Sequence, residues 1–213
     1  MTPVPSAGPH TGPGAAAAAG ELPPLAREVL LFWFGSIDGQ GDSPRSAWFI
    51  KDPDFDDSIR LRFGAQVESA LAGGLADWAD TPPGALARLL LLDQFTRNLF
   101  RGSPRTFAGD AQALDLARRM VAAGADQQLP ALRRVFVYLP FEHAEDAAAQ
   151  AESLRLFAAL ATEDPSLAHF DDYARRHAVV IQRYGRFPHR NAVLGRNSTP
   201  EELDYLSQPG AGF

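Results

Sequence analysis

Apolar positions along this chain recur at spacings of three and four rather than two, the pattern of helices that bury one face. Residues 24–34 carry Leu25, Val29, Leu30, Phe32 and Trp33 and stop at Gly35, a residue suited to a left-handed helix cap. After a Gly/Ser/Asp-rich loop at 36–46, Asp52-Pro53 has the form of an N-cap and a first-turn proline, opening a helix to about Leu71 that ends at Gly73-Gly74. Thr81-Pro82 repeats that device. The helix it opens, to about Phe100, is almost wholly apolar in its first half (Leu86, Leu89, Leu90, Leu91, Leu92), which predicts a central, buried element. Further helices are expected at 110–123, closed by Gly124, and at 130–138, bounded by Pro140. Pro140 then fits the first turn of a helix to about Ala161, with Phe141, Ala144, Ala148, Ala151, Leu154, Phe157 and Leu160 as one stripe. Asp164-Pro165 leads into another, striped by Phe170, Ala174, His177, Ile181 and Tyr184, and Thr199-Pro200-Glu201-Glu202 has the capping-box form of a last short helix.

These segments predict an all-α protein, an irregular stack of about seven to eight helices with no strand pair. A regular repeat of roughly 34 residues is not visible. With 46% hydrophobic residues, positions 21–213 suffice for a single helical domain. Residues 1–20 contain no Lys or Arg and only a five-alanine run, so they read as a disordered Ala/Gly/Pro-rich tail rather than a signal peptide. No apolar run reaches the roughly 18 residues that span a bilayer, and the expectation is a cytoplasmic protein. A pI near 5.3 argues against nucleic acid as a partner. Cysteine is absent, which excludes disulfides, thiol chemistry and Cys-based metal centres. Neither H-E-x-x-H nor a nucleotide-binding glycine motif occurs, so no metal or cofactor is expected.

Three polar constellations interrupt the apolar pattern. The central helix ends in LLDQFTRNLFRG, which puts Asp93, Arg97 and Arg101 on one line, with Gln94 and Asn98 beside it. PFEHAEDAAAQ places Glu142, Asp146 and Gln150 at steps of four, with His143 adjacent; carboxylates beside an imidazole suit general acid–base work, although acids at a helix start also answer the macrodipole. The third is residues 183–197, RYGRFPHRNAVLGRN. Between Tyr173 and Pro200 the chain has six arginines and no acid, within a net charge of -6. Gly185 ends the preceding helix and Pro188 holds Phe187 extended, so His189, Arg190 and Asn191 lie on an irregular segment. Such arginines either grip an anionic ligand or pair with the acids around Glu142 and lock the C-terminal segment down. His177, on an apolar stripe, reads as a hydrogen-bonded core histidine, and Trp33, Trp48 and Trp78 as packing residues.

The run of VLLFWFG, WFIKDPDFD, LLLLDQFTRNLFRG, YLPFEHAED, YGRFPHRNAVLGR and EELDYLSQPGAGF resembles the bacterial family catalogued as domain of unknown function 924, over about residues 27–213. The resemblance implies an all-helical, tetratricopeptide-like fold and brings no activity. Its motifs coincide with the three constellations. Where the family usually has EHSED, this chain has Ala144, which excludes a hydroxyl nucleophile at that position.

The function expected from these residues is a polar cleft for a small anionic molecule, a carboxylate or phosphate ester. Arg97, Arg101, Arg186 and Arg190 would be its clamps, Asp93, Asn98, Asp146 and Asn191 its further polar lining, and Glu142, His143 or His189 its acid–base candidates. The alternative is a tetratricopeptide-like scaffold that holds a peptide or protein partner.

Overall fold

A computed structural model describes residues 21–212 of the chain; the tail expected at 1–20 lies outside them. The described residues are helical and contain no strand. The α-helices are α1 (Pro24–Phe34), α2 (Pro53–Leu71), α3 (Pro82–Leu89), α4 (Thr96–Leu99), α5 (Asp110–Ala122), α6 (Ala131–Glu142), α7 (Ala147–Glu163), α8 (Ala168–Tyr184) and α9 (Pro200–Leu206). A π-helical turn, Leu90–Phe95, joins α3 to α4 in one continuous rod, so eight rods make up the fold among the described residues.

The local signals act as their chemistry requires. Gly35 takes φ 88° and closes α1 through its N–H on Leu31 O, and the Asp52 carboxylate accepts from the N–H groups of Asp54 and Phe55 to open α2. One expectation fails. Pro140 does not start a helix: it lies inside α6, which runs on to Glu142, and the break comes at residues 143–146, where Asp146 caps α7 by accepting from Ala149 N at 2.8 Å. Every residue of α6 from Leu132 to Glu142 is buried, so packing on all sides offsets the hydrogen bond that proline removes. Glu142 and His143 therefore sit at a helix C-terminus, where the macrodipole disfavours negative charge.

The core is one continuous cluster from α1 to α8. At its centre Trp33 stacks on Trp48 with centroids 5.9 Å apart and meets Phe136 edge-on at 5.6 Å. The fully buried Arg133 of α6 pins the 36–46 loop against this core, through Asp42 Oδ2 at 2.7 Å and the carbonyls of Ile37 and Ser36 at 2.6 and 2.9 Å. Helix α6 packs on α7 and α7 along α8 in sequence order. A small separate cluster of Val180, Ile181 and Phe187 seats the C-terminal segment.

The Thr199 capping box holds that segment reciprocally, Glu202 N donating to Thr199 Oγ1 at 3.2 Å and Thr199 N to Glu202 Oε2 at 2.8 Å. Thr199→Ala is expected to cost about 1 kcal/mol of unfolding free energy in urea, and an unchanged midpoint would show that the cap contributes nothing.

Candidate active site

The centre of the molecule carries a chain of buried polar groups that begins at the π-helical turn. Widening a helix to a π turn leaves backbone carbonyls without their usual partners. Here Thr96 Oγ1 donates to Leu92 O at 2.9 Å and to Asp93 O at 3.1 Å, and Arg97 Nη1 donates to Asp93 O at 2.7 Å. The chain before α5 comes in against the same turn. A β-carbon on Gly109 would stand 2.1 Å from Leu92 O, so only glycine permits that approach, which brings Asp110 beside Arg97.

Asp93, 1% exposed, is the hub. Its Oδ1 lies 2.7 Å from His143 Nδ1 and 3.1 Å from Arg97 Nη1, and its Oδ2 accepts from Gln94 Nε2 at 2.6 Å. Burial pushes the Asp93 carboxyl up, but Arg97 and His143 outweigh it and hold the group well below the usual carboxylate range. An ionised carboxylate only accepts. The hydrogen on His143 must therefore lie on Nδ1, which leaves a lone pair on Nε2. Burial, and then the Arg97 charge, lower the His143 pKa, so the ring is neutral at pH 7.

Glu142 and His177 complete the cluster. His177 Nδ1 is 2.9 Å from Tyr173 O, a carbonyl that only accepts, and 3.1 Å from Glu142 Oε1. Burial depresses His177 to about 3, so it too is neutral. Glu142 is 3% exposed, and its Oε2 has no hydrogen-bond partner. Burial and the nearby Asp93 charge raise its pKa to about 8, so at pH 7 it is a carboxylic acid and a proton donor.

Glu142, His143 and His177 line one side of a cavity of about 390 Å³, whose remaining wall is Phe49, Leu139, His169, Phe170 and Tyr173. Asp93 is not part of the lining. Since Asp93 holds Nδ1, Nε2 is the ring nitrogen left for chemistry on a residue that lines the cavity.

The other expected site residues lie elsewhere. Arg97 forms a fork with Asp110 at 2.9 and 3.2 Å. Asn98 and Arg101 both converge on Asp56 of α2, Asn98 Nδ2 at 2.7 Å and Arg101 Nε at 2.8 Å. Arg190 lies between the rings of Phe107 and Phe187, each 4.5 Å away, and donates to His143 O at 2.9 Å and to Asp110 Oδ2 at 3.4 Å. Burial lowers its pKa to about 10. Arg186 grips Glu202 through Nε at 2.7 Å and Nη2 at 2.8 Å, and Asn191 Nδ2 donates to the same carboxylate at 3.1 Å. Arg196 forks onto Glu145, which also accepts from Phe187 N. Asp146 is the α7 cap and is half exposed. His189 lies outside the cavity lining, with its β-carbon close under Gly212, and burial lowers it to about 4.

The partners Asp56, Asp110 and Glu202 and the aromatic wall were not singled out from the sequence, whereas Arg196 on Glu145 is a pairing with the acids around Glu142 of the kind expected for a fastened C-terminal segment. His177, read as a hydrogen-bonded core residue, is buried and bonded as expected and also faces the cavity. Its place as a titratable group on an otherwise apolar stripe was the available signal. No group of three or more His, Asp or Glu among the described residues is placed to hold a metal ion. No helix among them is long and apolar enough to cross a membrane.

These features define an all-helical protein of irregular stacking with a buried Asp–His pair beside a protonated glutamate. The chain belongs to the family described as bacterial protein of unknown function (DUF924), whose model matches residues 29–210. It is similar to the solved structure of the protein of unknown function ATU0120 from Agrobacterium tumefaciens, with 39% identity and a TM-score of 0.75, over 86% of this chain and 97% of that one. No curated protein matches the chain.

Proposed function

We propose that the cavity beside α6 and α8 binds a small molecule and performs general acid–base chemistry on it. His143 Nε2 removes a proton from the substrate or from water, and the Glu142 carboxyl delivers one to a second atom, as a hydrolysis or an isomerisation requires. The observation that carries this reading is the 2.7 Å contact between Asp93 and His143 at the edge of the cavity. The carboxylate selects the tautomer with a basic Nε2 and stabilises the imidazolium formed when that nitrogen takes a proton. A second support is the opposite displacement of neighbouring groups: Glu142 is raised and His143 lowered, so a proton donor and a proton acceptor coexist near pH 7.

This proposal keeps the acid–base half of the expected anion cleft. The clamp half would require Arg97, Arg101, Arg186 and Arg190 to leave carboxylates that now hold them. A tetratricopeptide-like scaffold for a peptide draws support from the successive packing of α6, α7 and α8 and from the exposed Val179 and Leu203. The concentration of titratable groups at a cavity rather than along a groove favours the chemical reading.

The test is a screen of ester, phosphoester and isomerisation substrates at pH 7 with His143→Ala, Glu142→Gln and, as control, the exposed Arg105→Ala. Turnover is expected to fall about 10²- to 10⁴-fold in the first two variants and to persist in the third. Turnover at the full rate in His143→Ala would overturn the proposal. A readout that needs no substrate is the imidazole nitrogen spectrum of the labelled protein, which should show His143 protonated on Nδ1 and not on Nε2 at pH 7.

A further inference from the structure

The cavity's walls bear on what it takes, given the acid–base reading above, on which this inference rests. Among the described residues no lysine or arginine lines it, and Glu142 is the one carboxyl in its lining. Most of the remaining lining is aromatic: Phe49, His169, Phe170 and Tyr173. His169 lies against Phe170 with centroids 4.1 Å apart, and Phe49 meets the Phe170 ring edge-on at 5.8 Å. Phe49 is 57% exposed and Tyr173 45%, so both stand at the rim rather than in the core, and the exposed Ile50 follows directly. Exposed rings beside an apolar hollow have no role in holding the fold comparable to that of Trp33 or Phe136, and they offer stacking and edge contacts to a flat molecule.

The carboxyl of the lining and two of its three imidazoles belong to Glu142, His143 and His177, the members of the buried polar cluster. Glu142 and His143 are neighbours in the lining, and just behind that surface Glu142 Oε2 is a buried oxygen with no hydrogen-bond partner among the described residues. A buried polar atom without a partner is costly and gains most from a ligand group that pairs with it. An anionic group placed there meets no cationic side chain among the described lining residues, and a cationic one meets a carboxyl that must first give up its proton, so either loses hydration without a ready countercharge.

We infer that the cavity takes an uncharged, ring-bearing molecule, its ring against Phe49, Phe170 and Tyr173 and a single hydroxyl, amide or ester group turned to Glu142 and His143. The neutrality of Glu142 and His177 at pH 7 agrees with this choice.

Binding of phenol, benzamide and methyl benzoate to the full chain, followed by ligand-observed NMR at pH 7, tests the inference, with benzoate and benzylamine as charged isosteres and cyclohexanol as the non-aromatic one. The neutral rings are expected to bind, and the charged isosteres and cyclohexanol to bind about ten-fold more weakly. Phe49→Ala and Tyr173→Ala, which remove exposed rings, should each weaken the neutral probes about three- to ten-fold. Benzoate or benzylamine binding as tightly as benzamide, no neutral ring binding at all, or affinities untouched by both rim substitutions would each overturn it. His143→Ala separates the two readings. If the ring class is right and the acid–base chemistry wrong, this variant binds the probes and loses no turnover; if the reverse, it loses turnover while the neutral probes fail to bind the wild-type chain.

Discussion

Asp93→Ala is expected to destabilise the protein by about 3–5 kcal/mol, the cost of removing one partner from a buried ionic network. The side chain is 1% exposed and serves His143, Arg97 and Gln94 at once, so its loss leaves Arg97 with one carboxylate instead of two and His143 Nδ1 with none. Water has little access to make up those bonds. Asp93→Asn keeps the shape but not the charge. It should cost less stability, and because an amide can either donate or accept, it lets His143 adopt either tautomer. Urea unfolding gives the first quantity and imidazole nitrogen shifts the second. A loss below about 1 kcal/mol for the alanine variant would mean that the hub is solvated and its pairs are of the surface kind. In the double variant Asp93→Ala with Arg97→Ala, the losses should sum to less than the two singles, since each then removes the other's orphaned charge.

Much of the helical layout was legible because its punctuation is local. An Asp, Thr or Gly at a helix end acts through its own side chain or its own φ, and Gly35, Asp52, Thr81, Gly185 and Thr199 do so where the sequence places them. The misplaced boundary at Pro140 has a non-local cause. Proline's penalty is intrinsic, but its outcome depends on whether surrounding elements hold the helix, and α6 is enclosed on every side. The π turn was invisible for the same reason, since it is fixed by the approach of Gly109 and by the hydrogen bonds of Thr96 and Arg97.

Of the candidate site, the identity of Glu142, His143 and Asp93 was readable and their grouping was not. Residues 93 and 143 lie on different helices, and sequence spacing relates only neighbours on one helix. The excess of arginine between 175 and 196 raised the question of an anion. In the fold Arg186, Arg190 and Arg196 pair with Glu202, Asp110 and Glu145, acids drawn from three separate elements. A segment rich in one sign of charge thus finds its complement across the tertiary structure, and charge runs by themselves do not distinguish a fastening from a binding surface. Arg97 and Asp110 link that fastening to the catalytic candidates, for Arg97 contacts Asp93 while Arg190 donates to the His143 carbonyl. The C-terminal segment therefore supports the position of His143 without entering the cavity.

Glu142→Gln is expected to raise stability at alkaline pH, in contrast to most substitutions of buried polar residues. The sign follows from proton binding. Glu142 titrates near 4.5 when unfolded and at about 8 in the native protein, because burial and the Asp93 charge disfavour its ionised form more than Arg97 favours it. Between those pH values the native state holds a proton that the unfolded state has released, so stability falls as pH rises from about 4.5 and levels off above 8. The full span is on the order of 5 kcal/mol, taking about 1.4 kcal/mol per unit for a group almost wholly out of water. His177 and His189 act on the acid side. Both are depressed, to about 3 and about 4, so the unfolded state gains protons first as pH falls below 6.5 and stability declines there. Glutamine preserves the shape and the Oε1 acceptor near His177 without titrating, and so removes only the alkaline limb. Unfolding free energies of the two proteins should nearly coincide at pH 5, diverge through pH 7, and differ by several kcal/mol in favour of Glu142→Gln at pH 9. Parallel profiles from pH 5 to 9 would show that Glu142 is ionised throughout, and would remove the proton donor from the proposed chemistry.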